Sequence, residues 1–168
     1  MMKPDTFSPI SMLKLTKKAD YSLIVLRHLA LPHGAVSASA KELADTYRIP
    51  LPLLSKVLQT LAKSGFLQSV QGMNGGYRLA RSPRDISTLE VIRAIDGPVL
   101  LTACFTEQGA ECEQSEHCTV RAPLRKVHEG IMRLLDSISI ADLAQDDEPL
   151  VPLVAFIGGP LAVARTDN

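Results

Sequence analysis

The 168-residue chain has a formal net charge of zero, but that total joins a basic half to an acidic one: eleven Lys/Arg face three Asp/Glu from Ser11 to Arg84, and six face fourteen from Asp85 to Asn168. A cationic half is the footprint of a polyanion binder, although a merely solvated basic surface fits the charge alone. Composition argues against a membrane span, a secretory leader and a disulfide framework: the nearest apolar run, Leu150 to Ala164, is broken by Pro152, Gly158, Gly159 and Pro160, residues 1–11 lack an apolar core, and the three cysteines crowd one stretch, so a reducing cytoplasm fits best.

Residues 1–11 read as a disordered lead. A helix is predicted from Thr16 to about Leu31, where Tyr21, Ile24, Val25 and Leu29 recur at helical spacing and Pro32 with Gly34 stops it. Asp20 lies in its first turns, where the helix dipole favours a carboxylate whatever else that residue does. Ser39-Ala-Lys-Glu42 is a capping-box pattern that starts a second helix near Ala40. A turn through Ile49-Pro50 leads to a third helix, about Leu51 to Ser64. Its apolar stripe is Leu54, Val57, Leu58 and Leu61, and Gly65 supplies the left-handed residue that closes it. The opposite face shows Pro52, Ser55, Lys56, Gln59 and Lys63. Two short helices around a tight turn, the second with a polar and basic outer face, form a helix-turn-helix pattern.

Phe66–Val70 and Tyr77–Ala80 alternate as strands on either side of the loop Gln71-Gly-Met-Asn-Gly-Gly76, a β-hairpin placed where a wing would follow the helix-turn-helix. Gly72, Gly75 and Gly76 permit positive φ and close backbone approach. A phosphate-cradling P-loop is the rival for a Gly-rich loop, but Gly-Lys-Ser/Thr is missing and no helix follows. Ser87-Thr-Leu-Glu90 is a second capping-box pattern, opening a helix through Val91, Ile92 and Ile95 that ends at Gly97-Pro98. Ala122-Pro123 then opens a long helix in which Val120, Leu124, Val127, Ile131, Leu134 and Ile138 step as an a/d seam. So short a seam is marginal alone and calls for a second copy or the protein's own core. Ser139 to Asp142 has the pattern of a last helical turn, and residues from 144 onward read as a flexible tail.

Cys104, Cys112 and Cys118 fall between these last two long helices. Clustered thiols in a reducing compartment are metal ligands or redox groups. Structural zinc favours Cys pairs two to four residues apart and four protein ligands. Here seven and five residues intervene, and His117, a possible fourth ligand, adjoins Cys118. An iron–sulfur cluster tolerates wider spacing and a non-cysteine ligand. Spacing leaves both open. An enzyme is not indicated, since there is no Cys-x-x-Cys, nucleophile elbow or dinucleotide loop.

Leu13-Lys-Leu-Thr-Lys-Lys-Ala-Asp20-Tyr21, the Gly65–Tyr77 hairpin, Thr88-Leu-Glu-Val-Ile-Arg-Ala-Ile-Asp-Gly97 and the cysteine triplet together resemble the Rrf-type winged-helix regulators, a family with IscR-like and NsrR-like members, from about Met12 to Leu143. Leu101-Thr-Ala-Cys104 and Cys118-Thr-Val-Arg121 are closest to the branch that regulates SUF-type cluster assembly. The resemblance implies a mainly α fold: a winged helix-turn-helix over 12–84, a cluster-binding loop with dimerisation helices over 85–143, and a tail over 144–168. It implies a homodimer bound to a double-stranded DNA operator, with a [2Fe-2S] or [4Fe-4S] cluster on Cys104, Cys112 and Cys118. IscR-like members place a His ligand three residues after the third Cys, where this chain has Arg121. The NsrR-like pattern takes an acidic ligand from the partner's N-terminal helix, a position that falls on Asp20, with His117 the runner-up.

The resemblance further implies a regulator, as a repressor, of cluster assembly or of redox or nitric-oxide stress genes. The alternative is a zinc-stabilised or cofactor-free regulator of the same fold. Ser55, Lys56 and Gln59 are expected at the bases, with Pro52 at the helix start. Lys63, Arg78, Lys17 and Lys18 are expected at phosphates, which position without specifying sequence. The wing offers Gln71, Asn74 and Gly75; Gln71 departs from the Arg common in IscR-like members. Each of these residues could also be an ordinary solvated surface group.

Overall fold

The computed structural model describes residues 15–32, 36–72, 75–102, 105 and 117–145. Among these described residues, six α-helices and one hairpin follow in order: α1 Lys17–Ala30, α2 Ala40–Tyr47, α3 Leu51–Lys63, β1 Leu67–Val70, β2 Gly76–Leu79, a 3-10 turn at Pro83–Asp85, α4 Thr88–Asp96, α5 Arg121–Ser137 and α6 Ile140–Leu143. The fold is mainly helical, a winged helix-turn-helix extended by α4 to α6, as the sequence patterns require. The expected lead over 1–11 and all of the expected tail except Ala144 and Gln145 lie outside the described residues.

Local chemistry sets the element ends. Thr16 caps α1 by accepting from the Ala19 N–H at 3.2 Å. At α2 the box closes both ways, with Ser39 Oγ accepting from Glu42 N–H at 3.1 Å and Glu42 Oε2 from Ser39 N–H at 2.7 Å. Gly65, at φ +78°, ends α3 in a Schellman arrangement: its N–H donates to Ala62 O and that of Phe66 to Leu61 O. At α4 the Ser87 hydroxyl accepts from Glu90 N–H as expected, while the Glu90 carboxylate pairs with Arg81.

The hairpin is antiparallel, with Leu67 opposite Leu79 and Gln68 opposite Arg78. The sequence patterns give no hint of its third participant. Ala38, in the connection between α1 and α2, bridges to Tyr77 through two backbone hydrogen bonds of 3.1 and 2.9 Å. Gly76 makes that approach possible, since a Cβ there would stand 2.4 Å from the Ala38 carbonyl oxygen.

One core unites Val25 and Leu26 of α1, Leu43 of α2, Leu54, Val57, Leu58 and Leu61 of α3, Phe66 and Leu67 at the wing, and Ile86, Val91 and Ile140 from the acidic half. Ile140 belongs to it because residues 86–88 pair with 138–140: Thr88 N–H donates to Ile138 O at 2.8 Å and Ile140 N–H to Ile86 O at 2.9 Å. The far end of α5 is thus stitched back into the winged-helix half. On α5 itself the buried residue is Met132, 8% exposed and off the predicted seam. The seam's Leu124, Ile131, Leu134 and Ile138 are half-buried, and Val120 and Val127 are 56% and 49% exposed. The heptad spacing marks an apolar stripe that one chain leaves half-buried to exposed, while Met132, off that stripe, is buried.

Candidate nucleic-acid interface and cysteine loop

The helix-turn-helix is α2 and α3 around Arg48-Ile49-Pro50. Ile49 is buried and its N–H donates to Ala44 O, pinning the turn. Arg48 ends α2 at φ 53°, ψ 40°, the left-handed region that side chains other than glycine enter at a cost of about 1–2 kcal/mol. Its exposed cation beside α3 was not among the expected DNA-facing residues. The signal was available: a helix must close at this point, and no glycine is there to close it.

With Leu54, Val57, Leu58 and Leu61 turned fully inward, α3 leaves Pro52, Lys56, Gln59 and Lys63 exposed and Ser55 half-buried on its other side. Of these, Ser, Lys and Gln are residue types that hydrogen-bond base edges and phosphates, and Pro52 offers no such group. In the wing Gln71 is exposed, Gly75 half-buried, and Asn74 outside the described residues. Arg78 is exposed but held, its Nη2 donating to Gln68 Oε1 across the strands at 3.0 Å. Lys17 and Lys18 are exposed in the first turn of α1. The backbone there is fixed twice: the buried Ser22 hydroxyl donates to Lys18 O at 2.7 Å, and Asp96 at the end of α4 accepts from both the Thr16 hydroxyl and the Thr16 N–H.

The second candidate site is the cysteine loop. Cys104 and Cys112 lie outside the described residues, and Cys118 is a half-buried free thiol. His117 is exposed, as is Asp20. Of the loop's described residues, Phe105 packs on the N-terminal half of α5 and Cys118 leads into that helix. Phe105, next to Cys104, stacks at 5.2 Å on His128 with the Arg125 guanidinium 5.7 Å over its ring. Cys118 stands three residues before Arg121, where α5 begins. Two side-chain nitrogens, Arg121 Nε and His128 Nδ1, are shut off from solvent there with no hydrogen-bond partner among the described residues. Neither Phe105 nor these nitrogens is legible in the spacing of the cysteines. Of the three cysteines only the Cys118 thiol is described, so the described residues bring one soft ligand to the end of the helix that carries these nitrogens.

No helix among the described residues is long and apolar enough to cross a membrane. Residues 15–146 match the Rrf2 family, described as iron-dependent transcriptional regulators. The chain is 32% identical over 144 residues to the HTH-type transcriptional regulator NsrR of Shouchella clausii, covering 86% of this chain and 97% of the relative. In structure it resembles CymR, the global cysteine regulator of B. subtilis, with a TM-score of 0.64 and 28% identity over 80% of this chain and 100% of that one. It also resembles T. potens IscR, with a TM-score of 0.61 and 29% identity over 82% of this chain and 94% of that one.

Proposed function

The chain belongs to the Rrf2 family of transcriptional regulators, DNA-binding proteins rather than enzymes, and on that premise we propose that it is a cytoplasmic homodimeric repressor that senses through an iron–sulfur cluster. Its targets on this reading are genes of cluster assembly, the SUF-type system first, or of redox and nitric-oxide stress. The observation that carries the reading is the stacking of Phe105, beside Cys104 in sequence, on His128 of α5, the helix that carries two buried nitrogens without partners among the described residues.

Cys104, Cys112 and Cys118 would hold the cluster, with Asp20 of the partner subunit completing the set and His117 as the competing donor. The exposure of Asp20 at the head of α1 leaves its carboxylate open to a second molecule. The cluster supplies a redox- and ligand-sensitive group whose loss frees its ligands. The chain's own part is mechanical. A ligand contributed by α1 ties the helix carrying Lys17 and Lys18 to the loop on α5, so release of that tie would change how the basic face meets DNA.

At the operator, α3 enters the major groove with Ser55, Lys56 and Gln59 at bases and Pro52 at the helix start. Lys63, Arg78, Lys17 and Lys18 lie at phosphates, with the wing's Gln71, Asn74 and Gly75 alongside. The half-exposed α5 seam brings two copies together, setting the spacing of two half-sites.

The likeness to a cysteine regulator favours a second reading, in which the loop holds zinc or nothing and DNA binding ignores iron. Oxygen-free purification separates the two. Coloured protein containing iron and acid-labile sulfide, with visible absorption lost in Cys104→Ala and operator affinity that differs between loaded and stripped protein, is the expected result. Colourless protein holding one zinc, with the same affinity in both forms, would overturn the sensor reading and leave the DNA reader standing.

A further inference from the structure

The turn between α2 and α3 is anchored on both sides of Arg48. On one side the Tyr47 hydroxyl and His28 Nδ1 of α1 are hydrogen-bonded at 2.9 Å, with the two rings edge to face at 5.6 Å. On the other, Ile49 is buried and donates its N–H to Ala44 O at 3.0 Å. The Arg48 N–H donates to the same carbonyl oxygen. Between these anchors Arg48 stands at φ 53° with its side chain exposed.

That backbone suits glycine or asparagine and strains an arginine. No internal contact offsets the strain. Among the described residues the Arg48 guanidinium has no hydrogen bond or ion pair, whereas Arg78 is held by Gln68 and Arg81 by Glu90. Strain kept at an anchored turn, with the side chain left open to solvent, marks a group that acts on something outside the chain. A planar fork of five donors with a permanent positive charge calls for a partner bearing anionic oxygens.

Its place in the fold selects that partner. Arg48 closes α2 and Pro50 is the N-cap of α3, so their Cα atoms are at most about 7.6 Å apart. In a helix-turn-helix the second helix meets base edges with its N-terminal residues while the first crosses the backbone, which brings the turn down beside a phosphate strand. We propose that Arg48 is a phosphate clamp of the DNA reader, its guanidinium gripping a backbone phosphate beside the bases that α3 faces. This rests on α3 being the recognition helix. The anchored turn fixes where the arm starts, so the contact sets register and adds affinity without preferring a sequence. It is independent of the cysteine loop and of any metal held there.

The test uses the full-length protein. Arg48→Gly and Arg48→Asn both suit the left-handed backbone and remove the cation. Fluorescence anisotropy measures binding to two duplexes, one that the parent enriches from a randomised pool and a scrambled one of the same composition. Each variant is expected to keep its helical circular dichroism and a denaturant midpoint no lower than the parent's. Each is expected to bind both duplexes more weakly by the same factor. The ratio of parent to variant affinity should fall about three- to fourfold between about 50 and 200 mM salt for each copy bound, as the loss of one phosphate contact requires. Unchanged affinity and salt dependence in folded Arg48→Gly would overturn the proposal. A lower midpoint in both variants would also overturn it, by making the role structural. Weakening confined to the enriched duplex would overturn the phosphate assignment and make Arg48 a base reader. If the parent itself binds neither duplex, the DNA reading has failed and the clamp fails with it; if the parent binds and the variants match it, the clamp alone has failed.

Discussion

The Thr16 hydroxyl donates to the Asp96 carboxylate at 2.6 Å across eighty residues of sequence, while the same hydroxyl caps α1 by accepting from Ala19. One oxygen thus joins the head of α1 to the end of α4. Thr16→Ala should lose about 1 kcal/mol, the usual worth of such a cap. Asp96→Ala should lose less, because the contact is exposed. The double variant should lose less than the sum, since the two residues share one interaction. Denaturant midpoints measure all three, and strict additivity would show that the contact contributes nothing. Both single variants should also weaken operator binding at low salt by loosening Lys17 and Lys18.

Gly76 and Gly65 should fail differently when each is replaced by alanine. At Gly65 there is open space, so the cost is that of the left-handed backbone, about 1–2 kcal/mol. At Gly76 the new carbon meets the Ala38 carbonyl, and the strand must move away. Gly76→Ala should cost about 2–3 kcal/mol and abolish hydrogen-exchange protection at Ala38 and Tyr77. Intact protection at those two amides would show that the bridge does not depend on the missing side chain.

Hydrogen bonds from Ser39, first from its backbone N–H and then from its side chain, hold the Glu42 carboxyl below its ordinary value. A depressed folded-state pKa contributes stability that is fully present above the unfolded value and is lost as pH falls through the folded one. Glu42→Gln should therefore flatten the acid limb of the stability curve below about pH 4.5 and differ least from the parent at the lowest pH. Parallel curves for the two proteins down to pH 2.5 would contradict this.

Val127 is exposed on α5 in a single chain. Val127→Glu should leave the circular dichroism of the monomer unchanged, yet move the sedimentation coefficient from dimer to monomer and cut operator affinity by at least tenfold. A Val127→Glu protein that remains dimeric would place the interface elsewhere.

Legibility in the sequence followed distance along the chain. Ser39 with Glu42, Ser139 with Asp142, and Gly65 were readable because each acts on backbone within a few residues. The Ala38–Tyr77 bridge and the pairing of Thr88 with Ile138 were not, since they join segments whose local patterns say nothing of each other. The period of α5 revealed an apolar stripe but not which side packs inward, and so Met132 was missed. The cysteines point to a candidate site. Arg121 and His128 draw no notice in the sequence, because they look ordinary until the fold removes water from one nitrogen of each.

The buried position of Ile140, hydrogen-bonded to Ile86, has a practical consequence for anyone building hybrid regulators. A splice near Asp85 would keep every residue expected to touch DNA, yet strip the reader of Ile86, Val91 and Ile140 and open its interior. A transplantable reader must carry the 86–96 segment and a closing piece through Leu143, so the span between them can be exchanged only by cutting inside it and rejoining the chain twice.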